Sequence, residues 1–135
     1  MATHTTAALN VLVLEQEPSV LVLIAAVFSG NGMRPLLARD AGEALEIARR
    51  PYVPIDLLLL GNQGLEPQTL DAVTEICRMR PQMRILGMSA RVEEGVIRVS
   101  LPGQVPGASL LEGVRAVCAG RSGRQPGRIS YSEVV

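Results

Sequence analysis

Blocks of apolar residues alternate with helix-like spacings along most of this chain, and the alternation predicts its secondary structure. Runs rich in leucine and β-branched residues occupy positions 10–14, 33–38, 55–60 and 83–88, and each has the length of a strand. Between them, apolar residues recur three and four positions apart, as in amphipathic helices. Strands and helices that alternate with short turns predict a doubly wound α/β domain with a parallel sheet.

The first predicted helix, residues 19–31, lacks a polar face. Its run from Val20 to Phe28 is apolar around the whole circumference, whereas a surface helix usually has one apolar stripe. The residues expected to face the core are Val20, Leu23, Ile24, Val27 and Phe28. The residues expected on the surface are Leu21, Val22 and Ala25. An exposed apolar patch often marks a protein contact, although neighbouring residues or the N-terminal tail would also cover it.

The later helices have clearer boundaries. Asp40 and Glu43 form a capping box that predicts the start of the second helix. The third helix is expected at residues 68–79, because Pro81 cannot continue it. The last helix is expected to begin near Ala108 and to end at Gly120.

The segment between the fourth strand and the last helix departs from the pattern. A mean helix takes roughly 11–12 residues and a strand about 5–6, and both do not fit between positions 91 and 101. Either the fourth helix shrinks to about a turn, or a loop leads into a short strand at 97–101. We expect one domain at residues 10–120, with an N-terminal tail at 1–9 and a flexible C-terminal tail at 121–135.

Polar residues follow three of the predicted strands at their carboxyl ends. Glu15, Gln16 and Glu17 follow the first strand, residues 61–64 (Gly-Asn-Gln-Gly) follow the third, and Ser89 follows the fourth. Right-handed crossovers bring these ends to one edge of a parallel sheet, where ligands bind in such folds. Two interpretations of Glu15 and Glu17 are equally supported by the sequence. Glu17 caps the helix that begins at Pro18, or the two carboxylates form half of a divalent-cation site.

Composition excludes several kinds of chemistry. All thirteen basic residues are arginine, so no mechanism can use a lysine of this chain. The single histidine, His4, lies in the tail, which excludes a histidine triad in the domain. Cys77 and Cys118 are expected as small buried hydrophobes rather than a disulfide.

The formal net charge is zero, so nucleic acid is not expected as a partner. The only support for one is Arg121, Arg124 and Arg128 in the tail. No membrane segment or signal peptide is found in the sequence, and we expect a cytoplasmic protein.

The motifs, taken in order, resemble a response-regulator receiver domain, the phosphoacceptor module of bacterial two-component signalling. The resemblance covers residues 10–119 and is carried by VLVLEQEPSV, ARDAGEALEIARR, IDLLLLGNQG and RILGMSA. It implies a five-stranded sheet of order 2-1-3-4-5, as in flavodoxin and CheY, here with a shortened or missing fourth helix.

The resemblance also implies which positions once carried the family's chemistry. The acidic pair that helps to hold magnesium maps to Glu15 and Gln16, with Glu17 next. The phosphoacceptor aspartate maps to Gly61, the hydroxyl residue to Ser89, and the lysine to Leu101. The sequence therefore lacks the acceptor and the lysine together. Asp56 precedes the acceptor position by five residues, and its side chain is expected to face a helix end or solvent.

These departures predict a non-enzymatic pseudo-receiver that acts as a protein interaction module without phosphorylation. The expected contact surface is Leu21, Val22 and Ala25, with a signalling protein or a second copy as the partner. No cofactor and no metal are expected, Glu15 and Glu17 being weak metal candidates. The alternative is a sensor of a small ligand or metal ion, with a pocket lined by Glu15, Glu17, Asn62, Gln63 and Ser89. Residual catalysis by Ser89 is disfavoured because no base is available to activate it.

Overall fold

Strands and helices alternate from the start of the domain, as the sequence predicts. The computed structural model describes residues 8–61, 66–100 and 110–119. The strands of the main sheet are β1 (Leu9–Leu14), β2 (Met33–Ala38), β3 (Leu57–Leu60) and β4 (Arg84–Gly87). The helices are α1 (Pro18–Ser29), α2 (Ala41–Ala48), α3 (Pro67–Met79) and α4 (Leu110–Cys118). Two further strands, β5 (Ser89–Glu93) and β6 (Val96–Ser100), lie between β4 and α4.

The main sheet is parallel, with strand order β2-β1-β3-β4. The central strands β1 and β3 are buried on both faces, because their side chains alternate between two apolar cores. Val13 and Leu59 lie in the core shared with α1 and α4, while Leu14 and Leu60 lie in the core shared with α2 and α3. The predicted α/β class with a parallel sheet is therefore confirmed.

The segment between β4 and α4 matches the second of the two sequence predictions only in part. Residues 89–100 form an antiparallel hairpin in which Glu93 pairs with Val96. Glu94 and Gly95 have φ values of 51° and 78°, the left-handed pair that makes a tight two-residue turn matched to the twist of a hairpin. The strand expected at 97–101 is present as β6, but it pairs with β5 rather than with β4. Within the described residues the order 2-1-3-4 is observed without a fifth parallel strand.

Helix α1 presents only part of the predicted face to the core: Val20, Ile24 and Phe28 are buried, as predicted, whereas Leu23 and Val27 are not fully buried. Leu21 is only 5% exposed and belongs to the core, whereas Val22 is 69% exposed. Ala25 is half-buried, as are Leu23 and Val27. The prediction that Leu21 lies on the surface is wrong, because α1 packs against β2 and Leu21 belongs to the core that also contains Met33 of that strand.

The start of α2 follows the predicted capping box, with one difference. The Glu43 N–H donates to Asp40 Oδ1 at 2.9 Å, so Asp40 is the N-cap. The Glu43 carboxylate accepts the backbone N–H of Arg39 at 2.7 Å and pairs with the Arg39 guanidinium at 3.0 Å. The hydrogen bond from Arg39 holds the pKa of Glu43 below its usual value.

The end of α2 is held by an arginine that the sequence analysis did not single out. The Arg80 guanidinium donates to the carbonyl oxygens of Ala48, Arg50 and Val53, at distances from 2.6 to 3.2 Å. These carbonyls have no partners inside a helix, because they lie at or beyond its last turn. Arg80 thereby ties the end of α3 to the end of α2 and to the segment that leads into β3.

Candidate functional site

The carboxyl ends of three strands lie side by side at one edge of the sheet. The Glu15 N–H donates to the Ala38 carbonyl at 3.0 Å, and the Gly61 N–H donates to the Leu14 carbonyl at 2.8 Å. The Met88 N–H donates to the Leu60 carbonyl at 2.7 Å. Glu15, Gly61 and Met88 are therefore the next residues along β1, β3 and β4, and Ser89 follows directly. Asn62, Gln63 and Leu101 lie outside the described residues.

The carboxylates at this edge differ in exposure and in partners. Glu15 is 2% exposed, and its Oε2 accepts the backbone N–H of Glu17 at 2.9 Å. Glu17 is exposed at the N-cap position of α1, and its Oε2 accepts the Ser19 hydroxyl at 3.1 Å. Gln16 is exposed between them. The Glu15 carboxylate therefore holds the start of α1, whereas the Glu17 side chain makes no capping hydrogen bond to the backbone of the helix.

Gly61 lies at the strand end where the resemblance implies a phosphoacceptor side chain. It is buried at the end of β3 beside Glu15 and has no side chain. Within residues 8–61, 66–100 and 110–119, no three histidine, cysteine, aspartate or glutamate side chains lie close enough together to hold a metal ion. The described part of this edge thus carries one buried carboxylate, Glu15, and a half-buried serine, Ser89.

Asp56 lies at the opposite end of β3 from Gly61. Its carboxylate accepts the Asn10 N–H at 2.8 Å, and its own N–H donates to the Asn10 carbonyl at 2.8 Å. The residue is exposed, as expected, and it joins the beginnings of β1 and β3. Gly61 lies five positions further along the chain, a distance of roughly 16 Å in an extended strand. Asp56 therefore cannot replace the missing carboxylate.

The two cysteines do not form a disulfide, and both are half-buried. Burial, together with the nearby Asp56 carboxylate, raises the pKa of the Cys118 thiol. A raised pKa keeps the thiol protonated at neutral pH, and a protonated thiol is a poor nucleophile and a poor metal ligand. Cys118 thus fits the structural role that its spacing predicts.

A groove of about 590 Å³ runs between α1, β2 and α2, on the flank of the sheet. Its apolar lining includes Leu21, Val22, Leu37 and Ile47. The charged residues along it are Arg39, Glu43, Glu46 and Arg50. Leu37, on the edge strand β2, is 40% exposed. We call this feature the α1–β2 groove.

No protein-family model and no curated protein sequence matches the chain. Solved structures that resemble it are response regulator receiver domains. A receiver domain protein from Clostridium thermocellum aligns with a TM-score of 0.50 and 23% identity, over 57% of this chain and 61% of that one. A response regulator from Thermotoga maritima aligns with a TM-score of 0.53 and 20% identity, over 64% and 71%. A CheY-like receiver domain protein from Methanospirillum hungatei aligns with a TM-score of 0.53 and 17% identity, over 84% and 76%.

These similarities define the class of fold, which is that of the receiver domain. The chain spans less than two thirds of the Clostridium chain that it matches. At these identities the similarity extends to the fold and not to the activity. Among the described helices, none is long and apolar enough to cross a membrane.

Proposed function

We propose that this protein is a pseudo-receiver, a non-enzymatic interaction module of bacterial two-component-type signalling that works without phosphorylation. The observation that carries the proposal is Gly61 at the end of β3, in a receiver-like sheet and beside the buried Glu15. The fold provides the position of a phosphoacceptor, and the residue there has no oxygen to accept a phosphoryl group.

Three further features support the absence of phosphorylation. Asp56, at the other end of β3, is bonded to the backbone of β1. The sequence contains no lysine to contact a phosphoryl group. Magnesium requires nearly octahedral oxygen ligands, and without the carboxylate expected at position 61 the two glutamates hold it weakly. The protein acts in the cytoplasm and requires no cofactor.

Phosphorylation is tested by incubating the full chain with acetyl phosphate and Mg²⁺ and measuring its intact mass. The control is a receiver domain with its aspartate in place, treated in the same mixture. We expect a phosphoryl adduct on the control and none on this protein. A Mg²⁺-dependent phosphoryl adduct at any residue of the described edge, whether acid-stable or acid-labile, would overturn the proposal.

The interaction role rests on the apolar surface of α1, corrected by the structure. Val22 and the half-buried Ala25 remain available for contact, and Leu21 does not. In a pull-down from the source cell, wild type should retain a signalling protein with and without acetyl phosphate. The Val22→Arg variant should lose it. Retention that requires the phosphoryl donor would contradict this role.

The alternative function is sensing of a small cation or metabolite at the same edge of the sheet. The observation in its favour is the Glu15 carboxylate, which is buried where a ligand would bind. Calorimetry with divalent ions and cationic metabolites, on wild type and on Glu15→Gln, tests it. Saturable heat that disappears in the variant would favour the sensor, and no heat in either protein would dismiss it.

A further inference from the structure

We propose that the turn at residues 50–53, between α2 and β3, docks a short acidic segment of a partner protein, with Tyr52 as its anchor. We call this feature the Tyr52 turn. It precedes β3 and lies at the amino ends of the strands, whereas Gly61 lies at their carboxyl ends. The inference goes beyond the proposed function, because it names a second contact surface and the chemistry of the segment that binds there.

The backbone of the Tyr52 turn is fixed from two sides. The Val53 N–H donates to the Arg50 carbonyl at 3.1 Å, which closes a four-residue turn with Pro51 at its second position. Proline favours that position because its φ is already fixed. The Arg80 guanidinium donates to the Arg50 carbonyl at 2.7 Å and to the Val53 carbonyl at 2.6 Å. A surface that is ordered in advance loses little conformational entropy when a partner binds.

Tyr52 projects from this turn with 80% of its area exposed, more than any other large hydrophobic side chain among the described residues. A tyrosine offers an apolar ring and a hydroxyl with only two side-chain torsions to restrict. Tyrosine and arginine are also enriched among the residues that dominate binding in protein interfaces. A rigid turn that holds such a side chain in water therefore has the properties of an interface anchor.

The arginines beside the turn carry positive charge that the described residues do not balance. Arg49 is paired with Glu75 at 3.0 Å. Arg80 donates to backbone carbonyls, so its hydrogen bonds bring no opposite charge. The exposed guanidinium groups of Arg50 and Arg78 form no ion pair within residues 8–61, 66–100 and 110–119. Since Arg78 lies one turn of α3 beyond Glu75, both groups flank the pair that joins α2 to α3.

The number of these arginines indicates the kind of partner. Two guanidinium groups suit one or two carboxylates, which each can bind through two parallel hydrogen bonds. A nucleic-acid site neutralises roughly six to ten phosphates, and an anionic membrane is recognised by clusters of about four to eight basic residues. The tyrosine ring also requires an apolar neighbour. We therefore expect a peptide segment with carboxylates next to one large apolar side chain.

The test is the binding of a short fluorescein-labelled peptide, glutamates around a single leucine, to the full chain in low salt, measured by fluorescence anisotropy. The control peptide has glutamines in place of the glutamates. We expect saturable binding of the acidic peptide, weakened by added salt, and none of the control peptide. Tyr52→Ala should raise the Kd by at least about tenfold. Arg50→Gln and Arg78→Gln should each raise it about two- to fivefold.

Arg91→Gln is the matched control variant, because Arg91 is also exposed but lies on the hairpin. It should leave the Kd unchanged, and urea midpoints should show that all variants are folded. In amide spectra the peptide should shift the signals of Tyr52 and Val53 and leave that of Val22 in place.

The inference is overturned if the acidic peptide does not bind, if Tyr52→Ala binds as tightly as wild type, or if Arg91→Gln loses as much affinity as Arg50→Gln. Duplex DNA, or phosphatidylcholine vesicles containing phosphatidylserine, that bind more tightly than the peptide and lose affinity in the same variants would reject a protein partner. None of these outcomes concerns position 61, so the proposed function is decided separately by the phosphoryl adduct.

Discussion

Glu15 and Gly61 follow neighbouring strands, yet only one of them has a side chain. The buried Glu15 carboxylate retains a hydrogen bond to the start of α1, which gives it a structural role independent of any phosphoryl group. Gly61 is held by a backbone bond to β1 that any residue could make. The local structure of this edge therefore persists without an acceptor. For this reason the hydrogen bonds at this edge do not depend on a side chain at position 61.

Leu21 and Val22 are adjacent in sequence and lie in opposite environments. The sequence prediction that Val20, Ile24 and Phe28 face the core is confirmed, but α1 is apolar on every side, so the pattern does not show that Leu21 is buried as well. The assignment of Val22 to the surface is confirmed. Only the position of α1 over β2 distinguishes the two residues.

The different burial of Leu21 and Val22 predicts that substitutions at the two positions change the free energy of unfolding to different extents. Leu21→Glu places a carboxylate in the core and should lower the free energy of unfolding by on the order of 3 kcal/mol or more. Val22→Glu should change it by about 0.5 kcal/mol or less, because the side chain stays in water. Urea unfolding of the two variants measures the contrast. Equal losses would show that the burial of α1 is not as described.

At the scale of elements, the hairpin β5–β6 is the largest departure from the sequence prediction. Its turn, Glu94-Gly95, lacks the asparagine or aspartate that usually signals such a hairpin, and its strands are short. Periodicity alone therefore did not distinguish a hairpin from a shortened helix. The left-handed conformation of both turn residues identifies it.

Gly95 is accordingly sensitive to substitution. Gly95→Ala puts a β-carbon on a residue with φ of 78° and should destabilise the hairpin by roughly 1 kcal/mol, seen as faster hydrogen exchange of β5 and β6 amides. Gly42→Ala is the control, because this residue lies in α2 and alanine favours a helix. It should leave the hairpin amides unchanged. If hydrogen exchange of the β5 and β6 amides is unaltered in Gly95→Ala, the left-handed conformation of the turn is contradicted.

The hydrogen bonds of Arg80 are a second feature that sequence patterns do not predict. Its partners are carbonyl oxygens 27 to 32 residues away, and no side-chain motif marks them. Arg80→Lys keeps the charge and loses the planar set of donors, so we expect a loss of about 1–3 kcal/mol in the free energy of unfolding. Arg78→Lys, an exposed position on the same helix, should have little effect. Equal urea midpoints for both variants would mean that Arg80 does not hold the end of α2.

At the scale of the whole molecule, the order of the elements was the most predictable property. Unbroken apolar runs such as Leu57–Leu60 can be buried on both faces only in the middle of a covered sheet, and proline and capping residues mark the helix boundaries. The α1–β2 groove was not predictable, because it depends on how three separate elements meet at the flank of the sheet. The same applies to the absence of a fifth parallel strand among the described residues.

The central claim, that the edge bearing Gly61 does not take a phosphoryl group, is tested most directly by NMR. Backbone amide spectra of the full chain would be recorded with Mg²⁺ alone and then with Mg²⁺ and acetyl phosphate. We predict that the amide signals of Glu15, Gly61 and Ser89 are the same in both spectra. Saturable shifts of these signals that appear only with the phosphoryl donor would contradict the account.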